Sequence, residues 1–340
     1  MIGRRCVIAA LLAAVCGALL AGCGGSSGGD PRSIVLYNGQ HPQLTEALVS
    51  AFEKQTGIDV KVRTNDGVVL ADQLLQEGPA SPADVYLTEN SPELETLDQH
   101  HLLSKLSAST LAQMPRANEP PTGDWAPVAL RVSGLAYSPK LISRTSLPNS
   151  VLDLAQPAWK GKIAIAPTDS DFPPLVGAVL AQYGPSVAKT WLAGLKRNAQ
   201  LFQTDEAVVA AVNSGGVATG VINHYYWYRL RTEIGANSTH SAVYYFPHHN
   251  VGSIENISGV AVLATSKHRQ LAEQFAAFLV GPVAQRVLAH SYDFEYPARP
   301  GIAANPQLPP LSSLSPAALS VVKLGNDQDA ATAIQQAGLA

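Results

Sequence analysis

The sequence predicts an α/β protein of two lobes, each a mostly parallel sheet flanked by helices. Three observations predict it. Short β-branched runs alternate with amphipathic stretches along most of the chain, which is the grammar of crossover connections. The body is too long for one core: 340 residues less a leader of 22 still exceeds the size at which a single core stops growing. Side chains able to bind a ligand fall just after strand runs, where open parallel sheets hold their ligands.

The leader spans residues 1–22. Arg4 and Arg5 form a positive start, and residues 7–20 are apolar with small residues interspersed, short for a spanning helix. Leu20-Ala21-Gly22-Cys23 has the form of a lipoprotein processing site, with Cys23 as the lipid acceptor. Residues 24–30, all Gly and Ser before Asp30, extend that anchor as a flexible tether, so that residues 23–32 precede the folded body. The expected location is the extracytoplasmic face of a cell membrane, held by lipid alone. Cys6 and Cys16 leave with the leader and Cys23 is consumed, so no thiol remains for a disulfide, a zinc–thiolate site or a nucleophile. Loss of Arg4 and Arg5 takes the formal charge from -3 to -5, an acidity that argues against a nucleic-acid partner.

The body opens with strand 34–37, the turn Asn38-Gly39-Gln40-His41, and a helix over 42–54. Pro42 suits a first helical position, where its missing N–H costs nothing, and Leu44, Leu48 and Phe52 line one face. Gly57 stops that helix, and 58–62 alternates as a strand. A helix over 69–77 leads to strand 83–87 and then to Thr88-Glu89-Asn90. Residues 128–137 are strand-like, and Trp159-Lys160-Gly161-Lys162 turns into strand 163–166. Helices follow over 185–198 and 207–213, the second stopped by Gly215-Gly216, before strand 217–222. Strand 259–264 precedes a helix over 268–279 with Leu271, Phe275, Phe278 and Leu279 on its apolar side. Residues 297–310 form a Pro-rich connector, and the chain from Ser315 is helical.

The most informative run is Ile222-Asn223-His224-Tyr225-Tyr226-Trp227-Tyr228-Arg229. Adjacent phenols at the start of a helix bring two hydroxyls together. Keeping one as phenolate at pH 7 costs about 4 kcal/mol, and two cost about 8. A bound trivalent cation supplies that energy; ordinary packing does not. His41 and Glu89 also follow predicted strands. Two phenolates and a carboxylate neutralise Fe(III), and imidazole adds a neutral donor in a thiol-free set that suits hard cations. Asn223 lies near the helix cap, where the dipole favours phenolate slightly. Each residue alone has a plainer reading: His41 as a turn group, Glu89 as a solvated helix-start carboxylate, the tyrosines as amphipathic core. Trp227 and Tyr228 read as core, and His100-His101 and His248-His249 as surface or structural pairs.

At these residues the chain resembles the periplasmic ferric-ion-binding proteins, the substrate-binding components of bacterial iron ABC transporters. The resemblance runs from Ile34 to Ala340. Its blocks are Tyr37-Asn38-Gly39-Gln40-His41, Ala83-Asp84-Val85-Tyr86-Leu87-Thr88-Glu89, Trp159-Lys160-Gly161-Lys162, the tyrosine run, and Glu295-Tyr296-Pro297-Ala298-Arg299. It implies a type II periplasmic-binding-protein clamshell, similar to a transferrin lobe, crossed twice by the chain. Residues 33–130 with 255–308 would form the first lobe, and 131–254 with 309–340 the second. The resemblance assigns His41, Glu89, Tyr225 and Tyr226 as direct Fe(III) ligands, Arg131 and Arg299 as supporting arginines, and an ABC permease as partner of a monomeric, non-enzymatic carrier.

One region departs from the family pattern. Where relatives hold a phosphate or carbonate beside small neutral residues, this chain has Thr168-Asp169-Ser170-Asp171, and Asp205 aligns with a family asparagine. Asn223 keeps its expected identity. Carboxylates there would repel phosphate, so the expectation is completion by water, by Asp169 or Asp205, or by another chelator; solvated helix-start aspartates are the plainer reading. An organic cation, an iron chelate as cargo, or a secreted non-haem iron enzyme remain open alternatives. A facial two-His site would need a second His beside His41 and Glu89, and none has a comparable strand-end placement.

Overall fold

The structure, a computed structural model, describes residues 32–115, 120–317, 319 and 321–340. The leader, Cys23 and all but the end of the tether lie outside the described residues. Among the described residues there are eleven strands: β1 (Ser33–Gly39), β2 (Asp59–Thr64), β3 (Val85–Thr88), β4 (Leu103–Ser104), β5 (Trp125–Tyr137), β6 (Ile163–Ile165), β7 (Ala199–Leu201), β8 (Thr219–Asn223), β9 (Ala242–Tyr244), β10 (Glu255–Leu263) and β11 (Tyr296–Pro297). Their main order is β2-β1-β3-β10-β5-β8-β6-β7.

Pairing is parallel at both ends of that order, β1 with β2 and β3, and β6 with β7 and β8. It turns antiparallel in the middle, where the two long strands β5 and β10 run between the halves. β5 is buried along its whole length. Its first part pairs with β10 up to Val132, and from Ser133 onward it pairs with β8. One strand thus pairs with both halves of the sheet.

Helix Pro42–Thr56 follows its sequence signals closely. Pro42 occupies the first turn, Leu44, Leu48 and Phe52 are buried, and Gly57 ends it at φ 66° with its N–H on the Glu53 carbonyl. Helix Pro185–Asn198 falls where the pattern places it, and the strand expected over 217–222 is β8. Three helices carry no legible signal: Ser91–Gln99, Phe172–Tyr183 and Pro282–Ala289. Phe172–Tyr183 buries Phe172, Leu175, Val176, Ala178 and Val179, more than one face, which erases its periodicity. Its two prolines sit in the first turn, where free N–H groups make them tolerable. The C-terminal stretch is interrupted: Ser315 takes a left-handed φ of 48°, and the last helix is Asp327–Gln336.

One close approach fixes the end of β1. A Cβ added at Gly39 would lie 2.7 Å from the Gly67 Cα, a backbone atom that cannot swing aside. Gly39→Ala should therefore push the start of helix Gly67–Glu77 off the strand that carries His41. The expected cost is about 1–3 kcal/mol in urea unfolding; unchanged stability would contradict this packing.

Candidate metal centre

Five strand ends converge on one region. β1 and β3 lie side by side with Gly39 opposite Thr88, so the residues just beyond them emerge together. His41 Nδ1 stands 2.5 Å from Glu89 Oε1. The turn before His41 is pinned from inside: Asn38 bonds the Gln40 carbonyl through Nδ2 at 2.8 Å and accepts from the Gln40 N–H at 3.1 Å. Gln40 in turn takes the His41 N–H on Oε1 at 2.7 Å and donates to Ser258 and Glu295. Burial disfavours the His41 imidazolium, but Glu89 more than reverses this and holds the ring up to about 9. Burial likewise opposes the Glu89 carboxylate, yet His41 and Arg131 keep its pKa below the usual range.

From the other half, β8 delivers helix His224–Ile234, with Tyr225 and Tyr226 in its first turn. His224 locks that turn. Its Nδ1 accepts from the Val132 N–H at 3.2 Å, and its Nε2 lies 2.9 Å from the Phe294 carbonyl. Those two bonds assign the proton to Nε2, and burial drives the ring down to about 3, so it stays neutral. The Tyr225 and Tyr226 rings are 4.2 Å apart between centroids, and Tyr225 meets the His41 ring edge-on at 5.0 Å. Burial and then the Asp171 carboxylate push both phenols well above their ordinary pKa. Only a strong local positive charge can ionise them.

Arg131 sits at the centre, completely buried on β5. Its Nη1 meets Glu89 Oε2 at 3.2 Å and Glu295 Oε1 at 3.1 Å, while Nη2 donates to Asn90 Oδ1 at 2.9 Å and lies 3.7 Å from Asp171 Oδ1. Arg299 is placed elsewhere, a correction to the expected supporting role. Its guanidinium donates to Gln113 at 2.8 Å and to the Val280 carbonyl at 3.0 Å, closing the C-terminus of helix Arg269–Leu279.

Asp169, Asp171 and Asp205 each offer an oxygen within 4.8 Å of the others. Asp171 and Asp205 do start helices, but they are buried there, and Asp169 is half-buried. Asp169 is turned to the backbone, accepting the Asp171 N–H at 3.2 Å and the Asp205 N–H at 3.0 Å; Asp205 accepts the Asn223 N–H at 3.3 Å. Burial and then Asp171 raise Asp169 to about 7, and burial with both neighbours raises Asp205. Asp171 is the member that reaches a tyrosine, taking the Tyr225 hydroxyl at 2.6 Å. Ser170 contributes its carbonyl, to Asn90 at 3.3 Å. Asn223 holds the N-cap position without a side-chain cap bond, and its buried Nδ2 lacks a partner among the described residues.

Sequence reasoning did not single out Asp171 as the Tyr225 partner, nor Glu295, Asp293 and Arg229 beside His41 and Arg131. Asp171, Glu295 and Arg229 at least lay in blocks already marked; Asp293 carried no signal of its own.

Residues 80–319 match the family described as bacterial extracellular solute-binding protein. The chain is 40% identical over 308 residues to the Fe(3+)-binding periplasmic protein of Serratia marcescens, covering 91% of each chain. It is 33% identical over 308 residues to the major ferric iron-binding protein of Neisseria meningitidis serogroup B, covering 90% of this chain and 93% of the relative. Iron-bound HitA from Pseudomonas aeruginosa superposes with a TM-score of 0.86 at 38% identity, over 90% of this chain and 99% of that one. By fold and by sequence, this two-lobed chain belongs to the bacterial extracellular solute-binding proteins, in the family of the periplasmic ferric-ion-binding proteins.

Proposed function

We propose that this chain captures Fe(III) between its lobes and hands it to the permease of an ABC transporter. The observation that carries the reading is the meeting of two adjacent phenols with the His41–Glu89 pair. Tyr225, Tyr226 and Glu89 supply three negative charges, and His41 supplies a neutral nitrogen. Three anionic oxygens match the charge of a trivalent ion, and a thiol-free oxygen and nitrogen set suits a hard one. The lobes are residues 33–130 with 255–308, and 131–254 with 309–340; the change of β5 partner at Ser133 supports that division. Metal bridges donors from both lobes, so it stabilises the closed form by differential affinity. The lipid on Cys23 keeps the carrier near its permease.

Asp171 is the further donor, in place of the Asp169 or Asp205 expected from sequence. Its Oδ2 already meets the Tyr225 hydroxyl, and its buried Oδ1 has no hydrogen-bond partner among the described residues. Three clustered carboxyl groups disfavour a bound phosphate or carbonate. Removing phosphate should leave Fe(III) affinity unchanged in a chelator-competition titration.

Ligation must displace both phenol protons and the His41 proton, because the imidazole is held up to about 9. Near pH 7.5, loading should release about three protons per iron, and affinity should fall as pH falls. Proton release measured in weakly buffered solution, against a protein-free blank, checks this; fewer than two protons would contradict the ligand set. The test of the function itself is an Fe(III) titration followed by visible absorption. An intense phenolate-to-iron band saturating at one iron per chain is expected.

A further inference from the structure

His41 has two ring nitrogens, and Nδ1 is committed to Glu89. Nε2 is left to take a metal, yet another cation already stands in front of it. Arg229 Nη1 lies 3.4 Å from His41 Nε2. The arginine comes from helix His224–Ile234, one turn beyond the tyrosine pair, and its guanidinium lies 5.9 Å from the Tyr226 ring centroid and 5.3 Å from that of Tyr292. The guanidinium stands where a metal would approach Nε2, so the two cannot occupy that side of the ring at once. A trivalent ion on His41 and Tyr226 would also face a guanidinium at close range, with little water between them to screen the repulsion. Arg229 must therefore leave before His41 can ligate.

A destination exists. Asp293 is 1% exposed, and neither of its carboxylate oxygens has a hydrogen-bond partner among the described residues. A buried carboxylate without partners is costly, and such a group calls for a cation. The positive charges acting on Asp293 are His41 and Arg229. Once metal takes His41, Arg229 is the one still free to turn toward it.

We propose that Arg229 is a two-position gate on the metal site: it covers His41 Nε2 before metal arrives and moves to Asp293 when metal holds that nitrogen. The proposal rests on His41 being a ligand, and it adds a control of loading. Removing the guanidinium leaves His41 Nε2 uncovered from the outset, so no displacement has to precede ligation. Removing the Asp293 charge strands the displaced arginine. The two substitutions should act in opposite directions and depend on each other.

The test is stopped-flow loading with Fe(III) nitrilotriacetate, read by the phenolate-to-iron band, across a double-mutant cycle. Arg229→Gln should load about tenfold faster and Asp293→Asn about tenfold slower. Asp293→Asn should have little further effect once Arg229→Gln is present. Wild-type loading rates in Arg229→Gln, or an equal slowing by Asp293→Asn in both backgrounds, would overturn the gate. A crystal structure of the iron-loaded wild type gives an answer that no folding defect can obscure: Arg229 bonded to Asp293 supports the gate, and Arg229 still on His41 overturns it. Absence of colour in the wild type would instead strike at the ligand set, so the two failures are distinguishable.

Discussion

Replacing Tyr225 or Tyr226 with Phe should weaken Fe(III) binding on the order of a thousandfold or more. Two energies compete. Ionising a phenol at pH 7 costs about 4 kcal/mol before any help from burial, and burial beside Asp171 raises that cost further for both residues. A unit anion touching a trivalent cation returns several times as much, even at an effective dielectric of about 20. The net contribution of each phenolate is therefore large, and deleting one also leaves the ion's charge uncancelled in a buried site. The phenolate band should shift and weaken in each single variant and vanish in the double variant. Thermal unfolding of the iron-free variants separates lost ligation from lost folding, since the rings that pack the helix start remain. Near-wild-type affinity in both single variants would remove the tyrosines from the metal.

Arg131→Met should destabilise the iron-free protein by about 3–5 kcal/mol at pH 8. The guanidinium is wholly buried and faces Glu89, Glu295 and Asp171. Methionine fills much of its volume but leaves Glu295 and Asp171 without that counter-ion and Glu89 with His41 alone. The pH dependence has a definite sign. Burial raises Glu295 to about 7 even with Arg131 and His41 opposing it, so without the arginine it moves higher still. A carboxyl group that has taken up a proton no longer needs a cation. The penalty should be greatest above pH 7 and should shrink as pH falls toward 5, measured as the wild-type minus variant difference in urea unfolding. A penalty independent of pH would mean that Arg131 acts by packing alone. Arg131→Lys, which keeps the charge but loses the fork that meets several acceptors, should fall between the two.

Much of this was legible in the residues because several local signals agreed. Pro42 and Gly57 bracket a helix whose apolar stripe has helical spacing, and that fixes the end of β1 and the place of His41. Tyr225 and Tyr226 follow a strand and open a helix, as the run suggests. The antiparallel middle of the sheet was not legible, since strand runs carry no mark of direction and β5 pairs with partners from distant parts of the chain. Asp171 was obscured by the loss of periodicity in helix Phe172–Tyr183, whose N-cap it occupies. Arg299 misled because an arginine beside a family-like block can equally close a helix, and here it does. Asp293 belongs to the site only through folding, and Arg229, though inside the tyrosine run, meets His41 only through folding.

Anomalous diffraction at the iron edge, from crystals of Fe(III)-loaded protein, bears most directly on the central claim. A single iron peak bonded to the Tyr225 and Tyr226 hydroxyl oxygens, to Glu89 and to His41 Nε2 is the expected result. A peak away from these four groups, or tyrosine hydroxyls turned away from the ion, would contradict it.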